Sequence, residues 1–187
     1  IAGGGLPAPP PNSGVLDGPN RVTDNYGTVG GGDGNRAGDD AGLTGDAAWA
    51  TVGGGLANTA AGMWSTVGGG GRNAAGAAAT VAGGYNSSAT GYGAAIGGGT
   101  LNTASNYYST VGGGGNNAAS GWYATVPGGS NNAAAGRNSF AAGFGAKANA
   151  DGVVLFADNT IGDFVGSNPN VFAVAFTGGI GMWTSKS

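Results

Sequence analysis

The sequence contains no cysteine, no histidine and no glutamate. Without cysteine the chain can form no disulfide and no thiolate nucleophile, and without histidine it lacks the commonest general base and most zinc ligands. Catalysis could use only Asp, Ser, Tyr or Lys, so we expect the chain not to be an enzyme. The absence of cysteine also fits an extracellular protein that folds without disulfides.

Charge and long apolar runs are scarce as well. Charged side chains make up 8% of the residues, and the formal net charge is −3. The sequence has no basic stripe for nucleic acid and no apolar run of the roughly 18 residues that a membrane-spanning helix needs. We therefore expect no nucleic-acid partner and no membrane contact within this segment. Because the first residue is Ile1 and not Met, we expect a processed or shortened piece of a longer protein.

Glycine, by contrast, is abundant and recurs at a regular step. Glycine (45) and proline (7) exceed a quarter of the 187 residues, which is typical of disordered sequence when no periodicity is present. Here a Thr-Val-Gly-Gly-Gly motif recurs, mostly every 15 residues, with one step of 23 and one of 14. The repeated apolar positions are Val29, Val52, Val67, Val81, Ile96, Val111, Val126 and Ala141. A fixed step predicts a solenoid whose coils bury apolar surface against their neighbours, with the first seven of these residues as a core ladder.

Each repeat predicts two strands and two turns. Alternation places the Val and the residue two before it on the inner face, and the Thr and the residue three before the Val on the outer face. The glycine trio then bends the chain, and an Asn-Thr-Ala or Asn-Ala-Ala segment forms the second extended piece. We expect strands of about four to five residues, and we interpret the recurring Asn, from Asn58 to Asn132, as stacked-amide and turn structure.

The composition divides the chain into three parts. Residues 1–21 form a Pro/Gly-rich segment with a partial repeat and a predicted loop from Leu6 to Pro19. Residues 22–150 form the repeat domain, with an insertion at about 36–47. Residues 151–187 lose the repeat and predict a β cap or trimerisation segment. Its three expected strands are 153–156, 171–176 and 180–183, with a loop at about 159–170.

The predicted coil has a very small interior. It encloses one Val and one or two Ala, which is little against roughly 1–2 kcal/mol of backbone entropy per residue. We therefore expect the remaining apolar surface to be buried against identical chains in a closed homo-oligomer, which would also cover sheet edges. Strands at both ends of the solenoid leave end-to-end filament assembly as a second expectation.

Two stretches of sequence resemble a known family. The repeat from Trp64 to Gly76, and the stretch from Ser139 to Ala148, are similar to the head repeats of YadA-like trimeric autotransporter adhesins. The resemblance covers about residues 22–150 and implies a left-handed parallel β-roll with three chains around one axis. The stretch from Ala150 to Gly181 resembles the segment that follows such repeats in bacterial and phage tail-fibre proteins.

Aromatic residues recur three places before the repeated Val. They are Tyr26, Trp49, Trp64, Tyr108 and Tyr123, with Tyr92 and Trp122 one place earlier. If they contact another chain they form an interface core, which we favour; if they face solvent they offer stacking platforms for sugars or surfaces. The recurring Thr suggests ice binding as a weaker alternative, because strand preference explains the same residues and Ala95 and Phe140 interrupt the row.

Carboxylates cluster in the insertion. Asp39, Asp40 and Asp46, near Asp33, are interpreted as a solvated recognition loop. Calcium binding there is the alternative, because Ca²⁺ takes oxygen ligands, but no Asp-x-Asp-x-Asp-Gly loop is present. We expect no other cofactor. A polysaccharide-cleaving pair, such as Asp158 with Asp163, is the least favoured alternative, since narrow coils leave little room for a cleft.

Taken together, these features predict a non-enzymatic, trimeric, extracellular fibre segment that acts as rigid spacer and surface-binding head. The alternatives are a structural subunit of a head-to-tail filament and a phage tail-fibre segment. Its expected location is the bacterial cell surface, the extracellular space or a virion tail. Its expected partners are copies of itself and a glycan or protein receptor on a host surface.

Overall fold

The computed structural model describes residues 18–159 and 162–180, and this part of the chain is all-β with no helix. Parallel strands stack coil upon coil into a β-solenoid of about ten coils, with a spacing of about 15 residues. Both features confirm the predicted repeat fold. No helix in the described part of the chain has the length and apolarity needed to cross a bilayer. Most of the expected loop from Leu6 to Pro19 lies outside the described residues.

One side of every coil contributes to a parallel sheet that we call the valine sheet, because most of its inward residues are the repeated Val. In order along the rod, its strands are β2 (Thr28–Val29), β4 (Thr51–Val52), β6 (Thr66–Val67), β8 (Thr80–Val81), β10 (Ala95–Ile96), β12 (Thr110–Val111), β14 (Thr125–Val126), β17 (Phe140–Phe144), β19 (Val154–Ala157) and β21 (Phe172–Ala175). One further strand, β15 (Gly129–Ser130), pairs with β17 off this path.

The return side of the coils forms a second parallel sheet, the alanine sheet, with ten strands. They are β1 (Arg21–Val22), β3 (Arg36–Ala37), β5 (Thr59–Ala60), β7 (Ala74–Ala75), β9 (Ser88–Ala89), β11 (Thr103–Ala104), β13 (Ala118–Ala119), β16 (Ala133–Ala134), β18 (Ala146–Ala148) and β20 (Phe164–Gly166). The insertion follows β3, because Ala37 pairs with Ala60 and Arg36 with Thr59 in regular register.

Strands in the repeat are two residues long, so the expected length of four to five residues is wrong. On one side most valine strands of the repeat run into a glycine trio, which is Ala-Gly-Gly after Val81 and Pro-Gly-Gly after Val126. On the other side the residue three before the Val, such as Trp64 at φ 59°, has a left-handed backbone that ends the extended segment. The predicted faces are nevertheless correct: Val67 and Ser65 are buried and Thr66 is half-buried.

The interior is closed by the chain itself. All seven residues of the predicted core ladder, Val29, Val52, Val67, Val81, Ile96, Val111 and Val126, are at most 1% exposed. They face the fully buried alanines of the opposite sheet, such as Ala104 and Ala119. The valine column therefore needs no partner chain to cover it, and the apolar surface that remains for a partner lies elsewhere on the rod.

A column of buried asparagine side chains joins consecutive coils. In the coil of Asn117, its Nδ2 donates to the carbonyl oxygens of Gly113 and, in the next coil, Gly129, both at 2.9 Å. Its Oδ1 accepts the backbone N–H of Asn132 at 3.0 Å. The column contains Asn20, Asn35, Asn58, Asn73, Asn102, Asn117 and Asn132, none more than 6% exposed. The interpretation of the recurring Asn as stacked-amide structure is confirmed, and the column begins two coils earlier than Asn58.

Ser87 interrupts this column and gives a first prediction. Its hydroxyl accepts the N–H of Asn102 at a long 3.3 Å and cannot donate to the carbonyls that an amide would reach. We expect Ser87→Asn to raise the free energy of unfolding by about 1 kcal/mol, since the new amide can bond to Gly83 and Gly99 as its equivalents do. Chemical denaturation followed by circular dichroism measures the change. The exposed Ser105→Asn is the matched control; an equal gain there, or a loss at Ser87, would contradict the prediction.

The C-terminal strands extend the same two sheets. β19 and β21 add to the valine sheet, and β20 pairs with β18 in the alanine sheet. The loop expected at about 159–170 is wrong in part, because β20 lies within it and its Val165 pairs with Lys147. The Asp, Ser and Asn residues on either side of this short strand resemble a loop, so little in the sequence indicated it. The third expected strand, 180–183, lies outside the described residues except for Ile180, which is not in a strand.

Candidate functional site

Exposed aromatic side chains line the turns that lead from the alanine sheet to the valine sheet. Near the N-terminal end, the rings of Tyr26 and Trp49 stack at 5.2 Å between centroids, and those of Trp49 and Trp64 at 6.2 Å. These rings are nearly parallel, with interplanar angles of 9° and 20°. We call these three residues the N-terminal aromatic patch. Consecutive coils place the same turn position directly above itself, and this stacking follows from that register.

The backbone at this turn position is unusual for aromatic residues. Tyr26, Trp49, Trp64, Tyr108 and Tyr123 all have φ between 50° and 60°. That left-handed conformation suits Gly or Asn and costs other residues of the order of 1 kcal/mol. The equivalent turns elsewhere in the rod use Ala78, Gly93 and Asn138. The aromatic residues are therefore not the choice that the turn itself favours, and their side chains remain exposed.

A second group of rings lies nearer the C-terminal end, and we call it the C-terminal aromatic patch. It contains Tyr92, Tyr107, Tyr108, Trp122 and Tyr123, each between 41% and 53% exposed. Tyr108 stacks on Tyr123 at 5.6 Å, and Tyr107 lies 5.3 Å from Trp122. The guanidinium of Arg137 extends this surface, since its carbon lies 5.4 Å from the centre of the Trp122 ring.

The structure divides the five predicted aromatics between the two patches. Ala78 and Gly93 interrupt the row, so Tyr26, Trp49 and Trp64 do not contact Tyr108 and Tyr123 through a continuous stack. The sequence interpretation omitted Tyr107 and Arg137. The 15-residue step could have identified both residues, because positions 92, 107, 122 and 137 follow it one place before the other aromatics.

Threonine side chains form a partly exposed row on the outer face of the valine sheet. Thr51 pairs with Thr66 in register, and Thr110 with Thr125. Ala95 and Phe140 occupy the same position in two coils, as the sequence indicated. The row is therefore divided into short sections of hydroxyl groups.

Asp40 is held by two arginines. Arg21 and Arg36 stand side by side in neighbouring strands of the alanine sheet, so their like charges are adjacent. The Asp40 carboxylate bonds to both guanidinium groups, at 2.9 Å to Arg36. Hydrogen bonds first from Arg36 and then from Arg21 hold the pKa of Asp40 below its usual 3.8. This carboxylate is directed to the arginine pair and offsets one of its two positive charges.

The other two predicted loop carboxylates meet a residue that the sequence interpretation did not include. Asp39 and Asp46 lie beside Asp24, and one ligand oxygen from each of the three lies within 4.8 Å of the others. Asp33 is not part of this group; it pairs with Leu56 beyond the glycine trio. Asp24 precedes the insertion by a full coil, and no sequence motif links it to Asp39 and Asp46.

The two carboxylates considered for polysaccharide cleavage already have partners. Asp158 accepts hydrogen bonds from the backbone N–H and the hydroxyl of Thr177, at 2.7 and 3.0 Å. Asp163 lies 3.6 Å from the ammonium of Lys147. Each carboxylate therefore stabilises a contact between C-terminal coils.

Comparison with known proteins gives no family for this chain. No protein-family model matches the sequence, and no curated protein is significantly similar to it.

Proposed function

We propose that this chain is a non-enzymatic segment of a trimeric extracellular fibre, which serves as rigid spacer and surface-binding head on a bacterial surface or a virion tail. The observation that supports it best is the pair of exposed aromatic patches on a rod whose own interior is complete. Large rings at positions that disfavour them indicate selection for contact with something outside the chain.

A second copy of the chain is the contact that we favour for the N-terminal aromatic patch. Tyr26, Trp49 and Trp64 are 73%, 48% and 56% exposed in the single chain. Buried aromatic residues dominate the energetics of most protein interfaces. In a closed trimer, symmetry would cover the N-terminal aromatic patch of all three chains at once. The resemblance of the repeats to YadA-like head repeats supports three copies around one axis.

Substitution of this patch tests the proposal. We expect the double variant Trp49→Asn/Trp64→Asn to keep the β-solenoid, because Asn138 occupies the same turn elsewhere, and to raise the dissociation constant of the trimer at least about tenfold. Native mass spectrometry and light scattering over a concentration series measure the assembly. Far-UV circular dichroism reports the fold.

Tyr85→Asn is the matched control for this experiment. Tyr85 is 48% exposed, as Trp49 is, but it lies beyond the glycine turn, on another face of the rod. The control should leave the trimer unchanged within about twofold. A wild-type chain that stays monomeric at about 100 µM, or a control that dissociates as readily as the double variant, would contradict the proposed assembly.

Adhesion to a glycan is proposed for the C-terminal aromatic patch. Its exposed rings, with Arg137 over Trp122, form a stacking platform that suits the apolar faces of sugars. The insertion that carries Asp39, Asp40 and Asp46 is the other proposed recognition element, since loops on rigid scaffolds often carry binding residues. Glycan arrays with variants of each element would assign the contact, and binding that survives both changes would count against an adhesive role.

Filament assembly is the second candidate function. In the described part of the chain, β1 and β2 end the two sheets on one side and β20 and β21 on the other. Strands at sheet ends can pair with a further copy. Electron microscopy separates the alternatives, because long periodic fibres favour the filament subunit and short separate rods favour the spacer and head. A phage tail-fibre segment would also give short rods, and ice binding through the threonine row is a weaker alternative.

A further inference from the structure

The acidic group of Asp24, Asp39 and Asp46 is assembled from two parts of the chain, the first coil and the insertion. Asp24 follows β1 in the first coil, Asp39 follows β3, and Asp46 lies near the end of the insertion. One ligand oxygen from each residue lies within 4.8 Å of the others. Such an arrangement concentrates negative charge where the insertion meets the rod.

Asp24 is the buried member of the group, and one of its oxygens has no partner. The residue is 6% exposed. Its Oδ2 accepts hydrogen bonds from the hydroxyl of Thr23 at 3.0 Å and the backbone N–H of Asp39 at 3.1 Å. Its Oδ1 is buried and accepts no hydrogen bond from any described residue. A buried carboxylate oxygen without a partner is costly, so the site has an unused strong acceptor.

The basic side chains of the described residues do not neutralise this group. Their three ion pairs join Arg21 and Arg36 to Asp40, and Lys147 to Asp163. Both nearby arginines pair with Asp40 and not with its chain neighbour Asp39. The unpaired oxygen of Asp24 and the three neighbouring carboxylates are therefore best stabilised by a cation that is not part of the polypeptide.

We propose that Asp24, Asp39 and Asp46 bind a calcium ion. Ca²⁺ bonds oxygen at about 2.3–2.6 Å, so oxygens on opposite sides of one ion are about 4.6–5.2 Å apart. Ligand oxygens within 4.8 Å of one another can share such an ion with little movement. Mg²⁺ bonds at about 2.0–2.1 Å in strict octahedral geometry, which three carboxylates from two parts of the chain match less well. Without cysteine or histidine, the site offers only hard oxygen ligands.

Bound calcium would tie the insertion to the first coil. Asp46 belongs to the insertion and Asp24 to the solenoid, so one ion would bridge the two. Because the unfolded chain does not hold the three carboxylates together, binding stabilises the folded state and raises the melting temperature with calcium concentration. This inference concerns a single chain and does not depend on the proposed trimer or adhesive role.

Calcium titration of the purified chain, after removal of metal with a chelator, tests the site. Isothermal titration calorimetry with CaCl₂ should give saturable binding of one ion per chain with a dissociation constant below about 1 mM, in the range of extracellular calcium modules. Tb³⁺ provides an independent readout, since Tyr26 and Trp49 are close in sequence to Asp24 and Asp46 and can sensitise its luminescence. We expect Asp46→Asn to weaken calcium binding at least about tenfold without loss of the fold, because Asp46 is exposed.

Asp40→Asn is the matched control, because it removes one carboxylate from the residue next to Asp39 without touching the proposed ligands. We expect it to change calcium affinity less than about threefold. Asp24→Asn, which keeps an acceptor for Asp39, should abolish binding. No saturable binding at about 10 mM calcium, an unchanged affinity in Asp46→Asn, an equal loss in Asp40→Asn, or Mg²⁺ binding as tightly as Ca²⁺ would each overturn the calcium site.

Discussion

Gly114→Ala is expected to lower the free energy of unfolding by about 3–5 kcal/mol. Gly114 is the third glycine of its trio and has φ +85°, a conformation that costs any residue with a side chain. A Cβ added there would lie 2.0 Å from the carbonyl oxygen of Gly129 in the next coil. That oxygen is backbone, and it can move away only if the two coils separate.

Gly113→Ala provides a control within the same trio. A Cβ at Gly113 would have a single neighbouring atom within 4 Å, the carbonyl oxygen of Gly98 at 4.0 Å, and its φ is not positive. We expect its stability to stay within about 0.5 kcal/mol of wild type or to rise slightly, since alanine reduces the entropy of the unfolded chain. Chemical denaturation at one fixed protein concentration compares the two variants. Equal stability of the two would mean that the coils are not packed as closely as the structure places them.

Asn117→Ala is expected to lower the free energy of unfolding by about 2–4 kcal/mol, the second largest effect after that of Gly114→Ala. The alanine removes the acceptor of the buried Asn132 N–H and the amide donor to the carbonyl of Gly113. Gly129 loses one of two donors, because its carbonyl also accepts the N–H of Gly115. The buried groups left unpaired, more than the lost bonds themselves, account for the expected loss in the free energy of unfolding.

Asn116→Ala makes the same change one residue earlier, at an exposed position. Ala57 occupies the equivalent position at φ 54°, close to the 53° of Asn116, so the backbone tolerates alanine there. Its cost should stay below about 1 kcal/mol. Melting curves and hydrogen exchange of the neighbouring amides report both variants. A comparable loss in Asn116→Ala would show that the asparagine column is not what joins the coils.

The sequence predicted the interior of the rod well, because the interior repeats. A Val, a glycine trio and an Asn at a fixed step leave few ways to stack. Val67 and Val111 are buried as expected, and Asn117 belongs to the stacked-amide column that the recurring Asn predicted. The partner chain expected to complete the interior is not needed for the valine column, since the alanines of the opposite sheet already cover it.

The short strands were not predictable from residue type. Trp and Tyr favour strands, so Trp64 and Tyr108 resembled strand residues in the alternating pattern. In the structure both have a left-handed backbone, at φ 59° and 50°, which the stacking of turns imposes on whatever residue is present. The equivalent Gly93 and Asn138 carried the turn signal, but they are a minority among the repeats.

The acidic cluster was predictable only in part. Asp39 and Asp46 were visible as a group in the insertion, whereas Asp24 joins them because the solenoid returns the chain to the same side one coil later. Asp40 leaves the group for a similar reason, since Arg21 and Arg36 become neighbours only when β1 and β3 pair. Both outcomes depend on register between coils, which local sequence does not show.

The uniform register also determines how such a rod can change in evolution. Between the coils of Asn102, Asn117 and Asn132 the same bonds recur at an offset of 15 residues. Recombination between the repeated DNA segments can therefore duplicate or delete a whole coil and leave both flanking coils with matching surfaces. Each such event would change the length of the rod by about 4.8 Å, so related genes can differ in rod length while the surfaces between coils stay the same.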